Sequence, residues 1–214
     1  MSDFTPQQAA KLTEYLATHT IAKGMGTAES ACSVSAINLA IDGRLTDDIP
    51  PCMSLVIGRW IIIIQDAMPA EMRNSAEWKR LLPLAAGTGR AHEAACLDVA
   101  ADWLWGTILP QLQPLADDGG FGAEWLRMTT DRTRGAADAA AAVSAAYTVF
   151  AYAAAAARAR AAAYAAAVVA DAYAFADAAD AAAAAARAAA AAGAPFRETI
   201  NPTACLARMI GVTQ

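Results

Sequence analysis

The chain has 214 residues, 57% of them hydrophobic, and a net charge of -5. That length is enough for one domain or a domain with a helical appendage, and the negative charge excludes a general affinity for nucleic-acid polymers or anionic lipid. Alanine supplies much of the apolar share, so the chain is rich in helix formers without being uniformly greasy.

Thr5-Pro6-Gln7-Gln8 marks a helix start, with Thr5 as cap, Pro6 in the first turn and Gln8 closing a capping box, and that helix is expected to run to about His19. A loop carrying Gly24 and Gly26 follows. Thr27 then opens a second helix, in which Ala28, Ala31, Cys32, Ile37, Ala40 and Ile41 keep helical spacing and Gly43 terminates it. Pro50 and Pro51 start a third helix near Pro51, carrying Met53, Val56, Ile57, Trp60, Ile61 and Ile64. The run Ile61 to Ile64 has strand propensity, but no partner strand is evident and helix is the expectation.

Asn74-Ser75-Ala76-Glu77 reads as the cap of a helix bearing Trp78, Leu81 and Leu82, and Gly87-Thr88-Gly89 breaks the chain after it. A long helix is expected from about Arg90, kinked or ended by Pro110 and Pro114. Asp117 to Gly120 reads as a loop and Phe121 to Met128 as a short helix.

From Ala136 to Ala192 the chain is roughly two-thirds alanine, without glycine or proline. An unbroken helix of that length would be a rod of about 85 Å, against a radius of gyration of about 17 Å for a compact domain of this size. Two or three helices folded back on one another are therefore expected, restarted at Ser144, Asp171, Asp177 or Asp180, with Tyr147, Phe150, Tyr164, Val168 and Phe175 in the seam. Asn201-Pro202 opens a last helix with Leu206, Met209 and Ile210 facing inward. The expected fold is all-α: a helical domain over 1–134, an alanine-rich stack over 135–194, and a C-terminal helix over 195–214 that packs back on the body.

No spacing marks a metal site, a disulfide framework or a catalytic constellation, so no cofactor, metal or catalytic residue is expected. Cys32, Cys52, Cys96 and Cys205 read as buried thiols. The polar N-terminus lacks a secretory pattern, and Arg59, Gln65 and Asp66 interrupt the most apolar stretch, so the expected location is the cytoplasm. Arg59 is expected to be buried and paired with Asp66, the alternative being that it faces a cavity and binds an anion.

A candidate site for a small anionic ligand is drawn from Arg59, Arg73, Arg80 and Arg90, with Trp78 as aromatic neighbour and the Gly87, Thr88 and Gly89 turn offering backbone donors at a helix start. A plain interhelical turn is the competing reading. Arg127, Arg132 and Arg134 form a second basic cluster, read as a solvated loop.

The segments Gly58-Arg59-Trp60, Gln65-Asp66-Ala67-Met68-Pro69, Met72-Arg73-Asn74-Ser75 and Gly87-Thr88-Gly89-Arg90 resemble those of small bacteriophage and prophage proteins, a group that brings no activity with it. The alanine tract, spaced by aromatics, is similar to alanine-rich immunity proteins of bacterial toxin systems. With no catalytic constellation but with arginines in apolar surroundings and several tryptophans, the expectation is a non-enzymatic binding protein, which the resemblance makes a phage-type immunity or anti-defence factor in the cytoplasm of a bacterial host, sequestering a protein toxin or a nucleotide-like signal. The alternative is a structural protein in which alanine-rich helices form the seam of a homo-oligomer.

Overall fold

The computed structural model describes residues 4–147, 175–191 and 195–214. They are mostly helical, with one two-stranded ribbon, and the chain is all-α in class. It divides into two compact units: residues 1–97 with 202–214, and residues 98–201.

The first unit begins with α1 (Pro6–Thr18), whose Thr5 and Gln8 form the expected capping box. The ribbon β1 (Gly26–Thr27) and β2 (Ser30–Ala31) follows, pairing Gly26 with Ala31 and Thr27 with Ser30. This corrects the expectation of a helix from Thr27. Gly26 has φ +77°, and a Cβ there would lie 2.0 Å from the Ser30 carbonyl oxygen, so the chain turns back before helix can start. The Tyr15 hydroxyl fastens the ribbon by donating to Ala28 O and accepting from Ala31 N. Helix α2 (Ser33–Asp42) therefore starts late, capped by Cys32, and ends at Gly43 in the left-handed region.

Helix α3 (Leu55–Ala67) takes up the isoleucine run, as expected, but starts four residues after Pro51 with Ser54 as cap. The short α4 (Ala70–Arg73) and then α5 (Ala76–Ala86) follow, the latter capped by Ser75. Helix α6 (Glu93–Trp103) carries the chain across the boundary between the units. The last helix, α11 (Pro202–Gly211), returns to the first unit and packs on α5 and α3. Trp60 and Trp78, both without exposed surface, sit 6.4 Å apart at the centre of this unit with Ile57, Ile61, Ile64 and Leu82 around them. Complete burial of each such side chain contributes about 2–3 kcal/mol.

In the second unit the chain leaves α6 through a π-helical turn (Leu104–Ile108) and a 3-10 turn (Leu109–Leu112). Pro110, which withholds a backbone donor, sits in this irregular stretch, and Pro114 sits in the first turn of the helix that follows it. Helices α7 (Gln113–Asp118) and α8 (Gly122–Asp131) pack on each other, and α9 (Arg134–Tyr147) packs on α8. Helix α10 (Phe175–Ala191) lies on the π and 3-10 turns with Ala182, Ala183, Ala185, Ala186 and Ala189 buried. Trp103 and Trp125 are buried here, their indole N–H groups donating to Ile200 O at 2.7 Å and Leu109 O at 3.0 Å. Within the alanine tract, the expected seam residues Phe150, Tyr164 and Val168 and the expected restart at Asp171 lie outside the described residues.

Two chemical consequences follow from this packing. Arg132 caps α8 at φ 52°, a conformation that costs a residue with a Cβ about 1 kcal/mol and glycine nothing. Arg132→Gly should therefore raise the unfolding free energy by about 0.5–1 kcal/mol in urea titration. All four cysteines are buried, and burial pushes the Cys96 thiol up to about 11, with the Glu93 carboxylate adding to the shift and a hydrogen bond with Ser54 opposing it. Burial raises Cys205 as well. The native state then holds these protons after the unfolded chain has lost them near 9.0, so the thiols' contribution is complete below pH 9 and declines as pH rises toward 11. Urea unfolding at increasing pH should show this decline, with a shallower slope in Cys96→Ala.

Candidate functional site

The charged and polar groups of the first unit are best followed from the helix ends they serve. Each helix leaves its first N–H groups and last C=O groups without intrahelical partners, with partial positive charge at the N-terminus and negative at the C-terminus. At the start of α3, Glu93 Oε1 accepts from Leu55 N at 2.7 Å and Oε2 accepts from Val56 N at 3.1 Å and from the Ser54 hydroxyl at 2.6 Å. Ser54 Oγ in turn accepts from Ile57 N at 3.3 Å. At the other end, Arg73 Nη1 donates to Gln65 O and Met68 O at 3.1 and 2.9 Å, and its Nε donates to Ile21 O at 2.9 Å. Lys79 Nζ donates to Leu16 O and His19 O, each at 2.8 Å, at the C-terminal end of α1. Desolvation holds the Lys79 pKa below its ordinary 10.5.

The residues expected to form one anion site are therefore not brought together, and most are occupied. Arg73 is 6% exposed and serves backbone carbonyls. Trp78 is wholly buried, its indole N–H donating to Ser33 Oγ at 3.1 Å, so it offers no aromatic surface. Arg90 Nη2 donates to Ile49 O and Pro50 O, both at 3.3 Å. In the Gly87 to Gly89 turn, Gly87 N and Thr88 N bond back to α5, Gly89 N donates to Cys52 O, and Thr88 Oγ1 accepts from Ser54 N while donating to Ala85 O. The next helix starts at Glu93 instead of Arg90, so this turn presents no row of open donors. The interhelical-turn reading is the one the geometry matches.

Arg59 is a further correction. It is exposed, and Asp66, expected as its partner, accepts instead from Gly24 N at 2.9 Å. Seven residues apart on α3, the two share a face but lie about two turns, or about 10.5 Å, from each other along the axis. Arg59 lines a groove of 490 Å³ with Asp47, Asp48, Ile49, Leu55 and Ile62, which fits the alternative that it faces a cavity. The basic cluster of Arg127, Arg132 and Arg134 is exposed as expected, but it is no loop: Arg127 lies in α8, Arg132 caps it, and Arg134 opens α9 and pairs with Asp138.

Arg80 alone of the expected ligand residues is both exposed and set in an apolar depression. A groove of 590 Å³ runs between α1, which contributes Thr13, Leu16 and Ala17, and α5, which contributes Ala76, Lys79, Arg80, Pro83 and Leu84. These positions repeat at three and four residues on each helix, so two helical stripes wall the groove. Leu84 stands 43% exposed at its edge. Arg80 makes no hydrogen bond or ion pair among the described residues. The sequence placed Arg80 in a site but gave no sign of the groove, because its other wall lies some sixty positions earlier in the chain.

Among the described residues no group of His, Cys, Asp and Glu is arranged to hold a metal, and no helix is long and apolar enough to cross a membrane. No protein-family model, curated protein or solved structure matches the chain.

The difference between an arginine that completes the fold and one that lines a groove is measurable. Arg73→Met should lower the unfolding free energy by about 3 kcal/mol, since several carbonyls lose their donor inside the protein. Arg80→Met should change it by less than about 0.5 kcal/mol. Equal effects in parallel denaturant titrations would contradict this division.

Proposed function

We propose that the chain is a non-enzymatic binding protein, a phage-type immunity or anti-defence factor that sequesters its partner in the groove between α1 and α5. The observation that carries this reading is the combination of an exposed guanidinium, Arg80, with the apolar walls Leu16, Ala17, Pro83 and Leu84 in a groove of 590 Å³. A volume in that range suits an anionic group attached to an apolar body. The polar side chains deeper in the unit, Arg73, Glu93 and Thr88, are engaged by backbone partners and act as scaffold.

Between the two partner classes considered, a protein segment fits this groove better than a nucleotide-like signal. No aromatic ring lines it for a base to stack on, and the nearest tryptophan of α5, Trp78, is inside the core. An acidic, apolar side-chain pair from a partner protein matches both the guanidinium and the leucine edge.

The dye 1-anilinonaphthalene-8-sulfonate, an anion on an apolar body, tests the groove directly. Its fluorescence on the wild-type protein should fall about fivefold in binding strength for Arg80→Glu and for Leu84→Glu. Leu126→Glu, on the exposed face of α8 in the other unit, should leave it unchanged. Equal binding by all four proteins would overturn the assignment of the groove. Calorimetric titration with adenosine monophosphate should give no more heat than inorganic phosphate, and selective nucleotide binding would replace the protein partner by a nucleotide.

A further inference from the structure

The first unit carries two grooves of opposite character with no lining residue in common. The groove between α1 and α5 has two cations, Lys79 and Arg80, and the exposed Leu84 at its edge. The second groove, where the segment after α2 meets the start of α3, has two carboxylates, Asp47 and Asp48, against the single guanidinium of Arg59. Its apolar part is Ile49, Leu55 and Ile62, with Leu55 39% exposed. The two grooves are of similar volume, 590 and 490 Å³.

An exposed leucine beside a net positive groove and an exposed leucine beside a net negative groove, on one compact unit, form a complementary pair. We propose that the occupant of the α1–α5 groove in the absence of another partner is a second copy of this chain, which presents its Asp47–Asp48 loop and Leu55. Leu55 of one copy packs against Pro83 and Leu84 of the next, and the Asp47 and Asp48 carboxylates lie against Arg80. The two surfaces differ, so the contact is heterologous, joining copies head to tail. Two grooves of this size make a contact at the lower end of specific interfaces, so association is weak and favoured by high concentration and low salt. A partner that binds the α1–α5 groove competes with it, yet the self-association does not depend on such a partner existing.

The test is light scattering coupled to size exclusion on the full chain, at low ionic strength, from micromolar to near-millimolar protein. The wild type should rise in mass with concentration. Arg80→Glu removes one surface, and the double variant Asp47→Lys, Asp48→Lys removes the other, and each should remain a monomer. All three substituted side chains are exposed, and near-ultraviolet circular dichroism checks that each variant keeps its packing. Mixed in equal amounts, the two variants should associate again, because the Asp47–Asp48 surface kept by Arg80→Glu meets the Arg80 groove kept by the double variant. A wild type that stays monomeric at near-millimolar concentration overturns the proposal. So does association that both variants retain unchanged, or a mixture that remains monomeric while the wild type associates. Dye binding to the wild-type monomer at micromolar concentration is unaffected by these results, so failure here leaves the groove's ligand chemistry standing and failure there leaves this contact standing.

Discussion

Helix α3 is fastened at both ends by charged side chains of the sign its dipole requires, and the first unit is assembled around that constraint. At its N-terminus every early donor has a named acceptor: Leu55 N and Val56 N on Glu93, Ile57 N on Ser54 Oγ, and Gly58 N on Ser54 O. Glu93 lies on α6, so the cap ties the start of α6 to the start of α3. At the C-terminus Arg73 collects Gln65 O and Met68 O and reaches across to Ile21 O. Asn74 completes the clamp on the same residue by accepting from Ile21 N at 2.7 Å. The link that follows α1 is thereby held against the end of α3 by both of its peptide groups. Most of the buried face of helix α3 is apolar, and a buried helix needs its ends satisfied because burial removes water as the alternative partner.

Much of this architecture was legible in the sequence. The capping box at Thr5 and Gln8, the glycine stop at Gly43, the serine cap at Ser75 and the Asn201-Pro202 start act through neighbours three or four residues away, and each was found where expected. The late start of α2 was missed, because the ribbon depends on a backbone approach at Gly26 and on Tyr15, eleven residues earlier. The roles of Arg73, Arg90 and Glu93 were missed for the same physical reason on a larger scale. Their partners lie from five to more than fifty residues away, and a local excess of cations reads alike whether the cations face a ligand or a helix end. A buried cation can be satisfied by carbonyl dipoles alone, so a nearby acid in the sequence, such as Glu71 two residues before Arg73, does not identify its partner.

Lys79 reaches the end of α1, and Arg80, the next residue on α5 and turned from it by about 100°, stays exposed. Its setting between two helical stripes, with Leu84 one turn on, joins a cation to apolar walls in one groove. The alanine-rich part plays a different role in the described residues. In α10 small side chains are buried against the π and 3-10 turns, where bulky ones would hold the backbones apart, and the tryptophans Trp103 and Trp125 supply the volume.

Glu93 holds the start of α3 through the backbone, and hydrogen exchange, residue by residue, on a Glu93→Ala variant measures this directly. The amides of Leu55 and Val56 should lose about tenfold or more in protection, corresponding to about 1.4 kcal/mol for the lost acceptors, while amides of α9 in the other unit keep theirs. Unchanged protection at Leu55 and Val56 would contradict it.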